Sequence, residues 1–183
     1  MCKRCRWANL NNPAYIKYHD EEWGVPLHND CMLFELLILE GFQAGLSWEC
    51  VLNKREAFRK AFDNFDVDKV ALYDEKKLST LMGNPEIIRN KRKILASVRN
   101  AVAFKAIQNE FGSFDSYIWS FTDHKTIFED YSIRTSSPLS DLISKDLKKR
   151  GMSFVGSTII FSYLQAIGII YAHGKECCLY KGI

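Results

Sequence analysis

A chain of 183 residues suits one domain, or two small lobes sharing a core, and leaves no room for a third unit. Hydrophobic residues make up 47% and charged residues 26%, which excludes wholesale disorder and supports a real core. The formal charge of +3 is too small to hold a polyanion by itself, so contact with nucleic acid must come from a local patch.

No stretch is long and apolar enough to span a bilayer, and Met1-Cys2-Lys3-Arg4-Cys5 leads into polar residues instead of a signal-peptide core. A cytoplasmic protein is therefore expected. A reducing compartment turns the six cysteines away from disulfides and toward metal binding. Cys2 and Cys5 lie toward one end, Cys177 and Cys178 toward the other, with Cys31 and Cys50 between.

Asn12-Pro13-Ala14-Tyr15-Ile16-Lys17-Tyr18-His19 reads as a short helix capped by Asn12, with Pro13 at the first helical position. Spacings of three and four then put Tyr15, Tyr18 and His19 on one face. Trp7 and Trp23 complete an aromatic group that serves either core packing or the stacking of a flat ligand. Asp30 can cap the next helix, from Cys31 to about Gln43, which is apolar on most sides and predicts a central, buried element. Glu40 closes that apolar run. Two placements are open for it: the exposed end of a core helix, or a buried site where it needs donors or a cationic partner.

Gly41 and Gly45 each cost a helix ~1 kcal/mol relative to Ala, so the segment beyond Glu40 should bend or admit close approach by another stretch of chain. Ser47 restarts helicity, and Val51, Leu52, Phe58 and Phe62 form a buried stripe with Lys54, Arg55, Arg59 and Lys60 facing out. Asp66 and Asp74 cap two short helices, the second closing at Gly83. The turn Asn84-Pro85-Glu86-Ile87-Ile88-Arg89 leads into an amphipathic helix holding Ile94, Leu95, Val98, Ala101 and Val102. That helix opens with Arg89, Lys91, Arg92 and Lys93, poor chemistry for a helix N-terminus but good chemistry for gripping phosphate.

Ser113 caps a helix through Tyr117, Trp119 and Phe121, followed by an irregular stretch from Thr122 to Pro138. Leu139 to Arg150 is a helix with Lys148, Lys149 and Arg150 in its last turn, which suits the macrodipole and offers a second phosphate contact. Gly156-Ser157 opens the last apolar helix, from Thr158 to about Tyr171. With no legible strand, repeat or low-complexity segment, the chain reads as all-α.

His173 and Cys177 form an i, i+4 pair that one helical turn can aim at a single ion, and thiolate with imidazole suits tetrahedral zinc. The other half is either Cys2 with Cys5 or Cys5 with His19, and ordinary terminal thiols are the alternative to any site. A closed site of four ligands would be a staple, because catalytic zinc keeps a position open.

Several long motifs carry a resemblance. Cys5-Arg6-Trp7, Tyr15-Ile16-Lys17-Tyr18-His19-Asp20, Glu22-Trp23-Gly24-Val25-Pro26, Leu39-Glu40-Gly41-Phe42-Gln43-Ala44-Gly45-Leu46-Ser47-Trp48 and Lys148-Lys149-Arg150-Gly151-Met152-Ser153-Phe154-Val155-Gly156-Ser157-Thr158 closely resemble the bacterial 3-methyladenine DNA glycosylase I family, nearly end to end. The resemblance implies an all-helical, monofunctional helix-hairpin-helix glycosylase that excises 3-methyladenine from alkylated double-stranded DNA and acts as a monomer. It implies a structural zinc held by Cys5, His19, His173 and Cys177, with Cys2 and Cys178 as bystanders. The implied pocket is Trp7, Tyr15, Tyr18, Trp23 and Trp48 with Glu40 as the catalytic and base-reading residue. Leu46 would wedge into the duplex, or else pack in the core. The implied lobes are 31–111, with the hairpin at Asn84 to Arg89, and 1–30 plus 112–183, stapled by zinc.

Two departures stand out. The hairpin here is not Gly-rich, which shifts phosphate binding onto Arg89, Lys91 and Arg92, and the wider superfamily's usual catalytic Asp has only Asp115 and Asp123 as candidates. Outside the family, the same residues fit a non-catalytic sensor of alkylated bases or a zinc-stapled interaction domain whose pocket takes another flat cation.

Overall fold

The computed structural model describes residues 3–129 and 134–182. Ten α-helices account for most of it: α1 (Pro13–Lys17), α2 (Asp30–Gln43), α3 (Trp48–Leu52), α4 (Arg55–Ala61), α5 (Val67–Val70), α6 (Glu75–Gly83), α7 (Lys91–Phe111), α8 (Phe114–Ser120), α9 (Pro138–Lys149) and α10 (Ser157–Ala166). Two strands of two residues, β1 (Ile127–Phe128) and β2 (Ile170–Tyr171), pair in parallel and correct the strand-free expectation. So short a pair, joined across more than forty residues of chain, has no local pattern to reveal it. Its bonds run from Ile127 N to Ile169 O and from Glu129 N to Tyr171 O. The last helix accordingly ends at Ala166, short of the expected Tyr171.

Helix α2 is the centre. Every residue from Leu33 to Phe42 is buried, and the helix packs against α3, α7, α8 and α10. The Tyr163 hydroxyl on α10 donates to Leu33 O at 3.0 Å, and the Lys93 ammonium on α7 donates to Phe42 O and Ala44 O at 2.8 and 2.6 Å. Lys93 thus satisfies carbonyls at the end of α2 and is not free for phosphate. The cap of α2 is Asn29, whose side chain accepts from Met32 N. Asp30 instead accepts from Phe114 N and Asp115 N and so caps α8, a non-local use that spacing along the chain could not disclose.

The stripe after Ser47 breaks at Asn53–Lys54 into α3 and α4, and Arg55 turns inward. Its guanidinium binds Glu35 on α2 and Glu22, while Arg59 also binds Glu35. Only Lys54, Arg59 and Lys60 keep some exposure, with Lys54 donating to Glu86 O in the turn before α7. In that turn Asn84 accepts from Glu86 N and Ile87 is buried, which anchors it without glycine.

The chain from Trp23 to Leu27 lies along the end of α10, through Gly24 N to Gln165 O and Leu27 N to Ile167 O. Gly168 permits that approach, because at φ +76° a Cβ there would lie 2.4 Å from Val25 C and Pro26 N. Gly168→Ala should therefore cost about 2 kcal/mol or more, read as a lower urea midpoint with an unchanged slope.

Candidate active site

The helix α1 does not continue in α geometry. From Tyr18 to Glu22 it widens into a π turn. The two neighbours Tyr18 and His19, both buried, point about 100° apart around the helix axis and work on different sites. Tyr18 faces a cavity of about 310 Å³, lined by Trp7, Tyr15, Tyr18, Trp23, Glu40, Gln43, Trp48, Arg134, Ser162 and Gln165. All six residues expected to form a pocket are brought together there. The rings of Tyr18 and Trp48 lie 5.1 Å apart, and Trp7 sits 5.7 Å from Tyr15 and 4.8 Å edge-on to Trp23. Such walls suit a flat aromatic ligand.

Among the described residues Glu40 is the pocket's only carboxylate, and its 4% exposure resolves the choice between its two placements. Among the described residues no cation or hydrogen-bond donor pairs with it. Burial alone pushes its pKa from 4.5 up to about 8. Tyr18 stays protonated, held well above its ordinary range by burial and then by Glu40. Among the described residues the buried Trp48 Nε1–H has no partner, leaving an unused donor on a pocket-lining residue.

Four lining residues escaped the sequence reading. Gln43 stood inside a quoted motif without a role, and Ser162 and Gln165, three apart, are polar breaks in apolar α10 that could have marked a lined face. Arg134 comes from the irregular stretch, where spacing carries no information, and it pairs with Glu129. Asp115 and Asp123 do not line the pocket, and Asp115 bonds His28. Leu46 is 43% exposed, so core packing does not explain it. It follows Gly45, whose φ of +79° makes the bend beyond α2, while Phe154 Cβ stands 3.4 Å from where a Cβ of Gly41 would be. Arg89, Lys91 and Arg92 are exposed, and none of them has an acidic partner among the described residues.

Behind the aromatic wall lie Cys5, His19, His173 and Cys177, all buried, with ligand atoms within 4.8 Å of one another. The Cys5 Sγ to His173 Nδ1, Cys177 Sγ to His19 Nε2 and Cys177 Sγ to His173 Nδ1 separations are 3.6, 3.5 and 3.4 Å. A tetrahedral ion with metal–sulfur and metal–nitrogen bonds of ~2.3 and ~2.05 Å spaces such pairs by about 3.5 Å. The group could therefore hold a metal ion. His19 Nδ1 meets Asp20 Oδ1 at 2.7 Å, and Asp20 is lowered to about 2, chiefly by the Arg4 guanidinium that donates to it. His173 Nε2 meets Trp23 O at 3.3 Å, and burial lowers this imidazole to about 4, keeping it in the neutral, ligating form. Burial pushes the Cys5 thiol up to about 11, so a cation is what would make it a thiolate. Cys2 lies outside the described residues, and Cys178 is disulfide-bonded, against the expectation of reduced thiols throughout.

A helical fold with an aromatic pocket and one unpaired buried carboxylate defines a binder of flat, positively charged rings. The sequence matches the methyladenine glycosylase family over residues 7–180. It is 44% identical to DNA-3-methyladenine glycosylase 1 of Escherichia coli, covering 98% of each chain. A crystal structure of a 3-methyladenine DNA glycosylase I superposes with a TM-score of 0.93 at 43% identity, over 97% of this chain and 100% of that one. The Staphylococcus aureus 3-methyladenine DNA glycosylase I, solved for the basis of its 3-methyladenine recognition, gives 0.91 at 36% identity, over 96% and 95%. The chain belongs to the methyladenine glycosylase family.

The raised carboxylate has a measurable consequence. A folded-state pKa above the unfolded value means that Glu40's contribution is fully present below about pH 4.5 and is lost as pH rises through about 8. Glu40→Gln should then match the parent's stability at pH 4 and exceed it at pH 9 by a few kcal/mol, at about 1.4 kcal/mol per pKa unit, in paired denaturant titrations.

Proposed function

We propose that this chain hydrolyses the N-glycosidic bond of 3-methyladenine in alkylated double-stranded DNA and leaves an abasic site. One observation carries the reading: Glu40 is buried among aromatic rings and, among the described residues, no cation pairs with it, so a cationic ring is the ligand that completes the pocket. Family membership and the relatives' names support the same substrate.

Adenine methylated at N3 is positively charged in DNA, and its bond to the sugar is already weakened. The enzyme must flip the nucleotide out of the duplex, stack the base, and read its edge. Trp48 supplies a stacking face, with Trp7, Tyr15 and Trp23 closing the pocket around it. Entry of the cation favours ionised Glu40, which accepts from the exocyclic amine, while the Tyr18 hydroxyl donates to a ring nitrogen. As the bond breaks, positive charge passes from ring to sugar and the base departs neutral, so no side chain has to protonate it. Neutral adenine lacks the charge that Glu40 answers.

We further assign Leu46, exposed at the bend after α2, to the gap left by the flipped base. The turn between α6 and α7 is read as the hairpin of a helix-hairpin-helix element, with Arg89, Lys91 and Arg92 on DNA phosphates. Two thiolates and two imidazoles make zinc the fitting ion for the Cys5, His19, His173 and Cys177 group. When bound, it supplies a closed tetrahedral cross-link and no chemistry at the base.

Incubation with alkylated duplex DNA should release free 3-methyladenine without cutting the backbone, and borohydride should trap no covalent adduct. Glu40→Gln should lose about 10- to 100-fold of the preference for 3-methyladenine over adenine. Unchanged selectivity in that variant would overturn the role given to Glu40. Chelation should lower the melting temperature, with activity lost only as the fold is lost. Inactivation of a still-folded apoprotein would contradict a structural ion.

A further inference from the structure

Lys93 is buried, and among the described residues no carboxylate pairs with its ammonium. It stands in the first turn of α7, where the helix dipole disfavours a cation, so its own helix does not account for it. Its donors reach instead to another element, Phe42 O at 2.8 Å and Ala44 O at 2.6 Å, and the Phe154 ring centroid lies 5.9 Å away. A buried charge persists where fixed dipoles replace its water, and here those dipoles are two carbonyls at the end of α2.

The two carbonyls flank Gln43, a pocket-lining residue, whose own carbonyl accepts from Leu46 N at 2.6 Å. Each carbonyl from Phe42 to Ala44 is thereby occupied, and α2 has no basic residue of its own in its last turn. Ala44 then leaves helical geometry at ψ 114° and Gly45 turns left-handed at φ +79°. That bend leaves Leu46 exposed and outside the core cluster, two residues before Trp48 opens α3. The hole beside the ammonium measures about 10 Å³, room for one water, so solvent offers little replacement for the two bonds.

A bend that contains glycine and carries an exposed leucine has many conformations open to it, and ordering it only at the duplex would draw on binding energy. Fixing it beforehand removes that cost. Lys91 and Arg92, the two residues before Lys93, are exposed, so the first turn of α7 sends two cations outward and the third inward to the bend.

We propose that Lys93 is a positioning residue for duplex opening, pinning the bend between α2 and α3 so that Leu46 is already aimed outward when DNA arrives. The inference rests on the excision reading above and on the place given there to Leu46. Single-turnover release of 3-methyladenine from methylated duplex DNA, measured in a double-variant cycle, tests it. Lys93→Met should slow release about 10- to 100-fold, and Leu46→Ala should slow it as well. The two losses should not add: in the Leu46→Ala background Lys93→Met should cost at most about a further twofold, because it acts through Leu46. Lys93→Arg, whose guanidinium can donate to both carbonyls, should recover most of the rate. Val70→Ala, which truncates a buried side chain where α5 packs on α7, should lower the melting temperature and leave release at the parent rate. Should Lys93→Met fail to fold, Lys93→Gln, which keeps a shorter donor, is read in the same cycle. Losses that multiply in the double variant overturn the assignment. So does parent-like release by Lys93→Met while Leu46→Ala is slow, and so does a matching loss in Val70→Ala, which would mark a general effect of stability. Parent-like release by Leu46→Ala overturns the wedge and the role of Lys93 with it, whereas no release by the parent overturns the excision reading itself.

Discussion

Two carboxylates on one buried helix receive opposite treatment, and the rest of the molecule is arranged around that difference. Glu35 and Glu40 are equally hidden, five residues apart on α2. Glu35 is met by Arg55 and Arg59, whereas among the described residues no cation pairs with Glu40. Lys93, a cation near that end of α2, is spent on the carbonyls of Phe42 and Ala44. Burial therefore leaves Glu40 protonated over much of the neutral range until something positive arrives. The cost of keeping an unpaired acid inside is carried by the apolar packing of α2 on its neighbours and concentrated at the ligand site.

The aromatic wall and the Cys/His group are two faces of one construction. His19 packs 5.2 Å from Trp7, and His173 packs edge-on 4.8 Å from Trp23. An ion drawn between the histidines would thus fix two of the rings that line the pocket, at a distance from the base itself. Adjacent helical residues point about 100° apart, so Tyr18 and His19 serve the pocket and the ligand group without a break in the chain.

Much of this was legible in the sequence, for reasons tied to particular residues. Helix caps at Asn12, Ser47, Asp66, Asp74 and Ser113 are local devices and stand where the sequence places them. The pocket residues, Cys5 and His19 stand in long family motifs, His173 and Cys177 in an i, i+4 pair, and the structure gathers each set in one place. Whatever depended on contacts distant in sequence did not show. Asp30 caps a helix more than eighty residues away. Arg55 looked like one more surface cation until its two glutamates were found beside it. The parallel strand pair and the polar residues of α10 belong to the same class, because their meaning lies in what faces them.

The four-residue Cys/His group also sets an order of events. Cys5 and His19 leave the ribosome early, while His173 and Cys177 follow more than 150 residues later. At ~5–20 residues per second the first pair waits for about 8 to 30 seconds without its mates. Over that interval the segment carrying Trp7, Tyr15 and Tyr18 can already dock on α3, where Asn9 and Asn12 donate to Glu49 and Tyr18 meets Trp48, while the walls that come from the last third of the chain are still missing. The pocket is therefore completed only when α10 brings Ser162 and Gln165 to its wall, and the Cys/His group closes just after it.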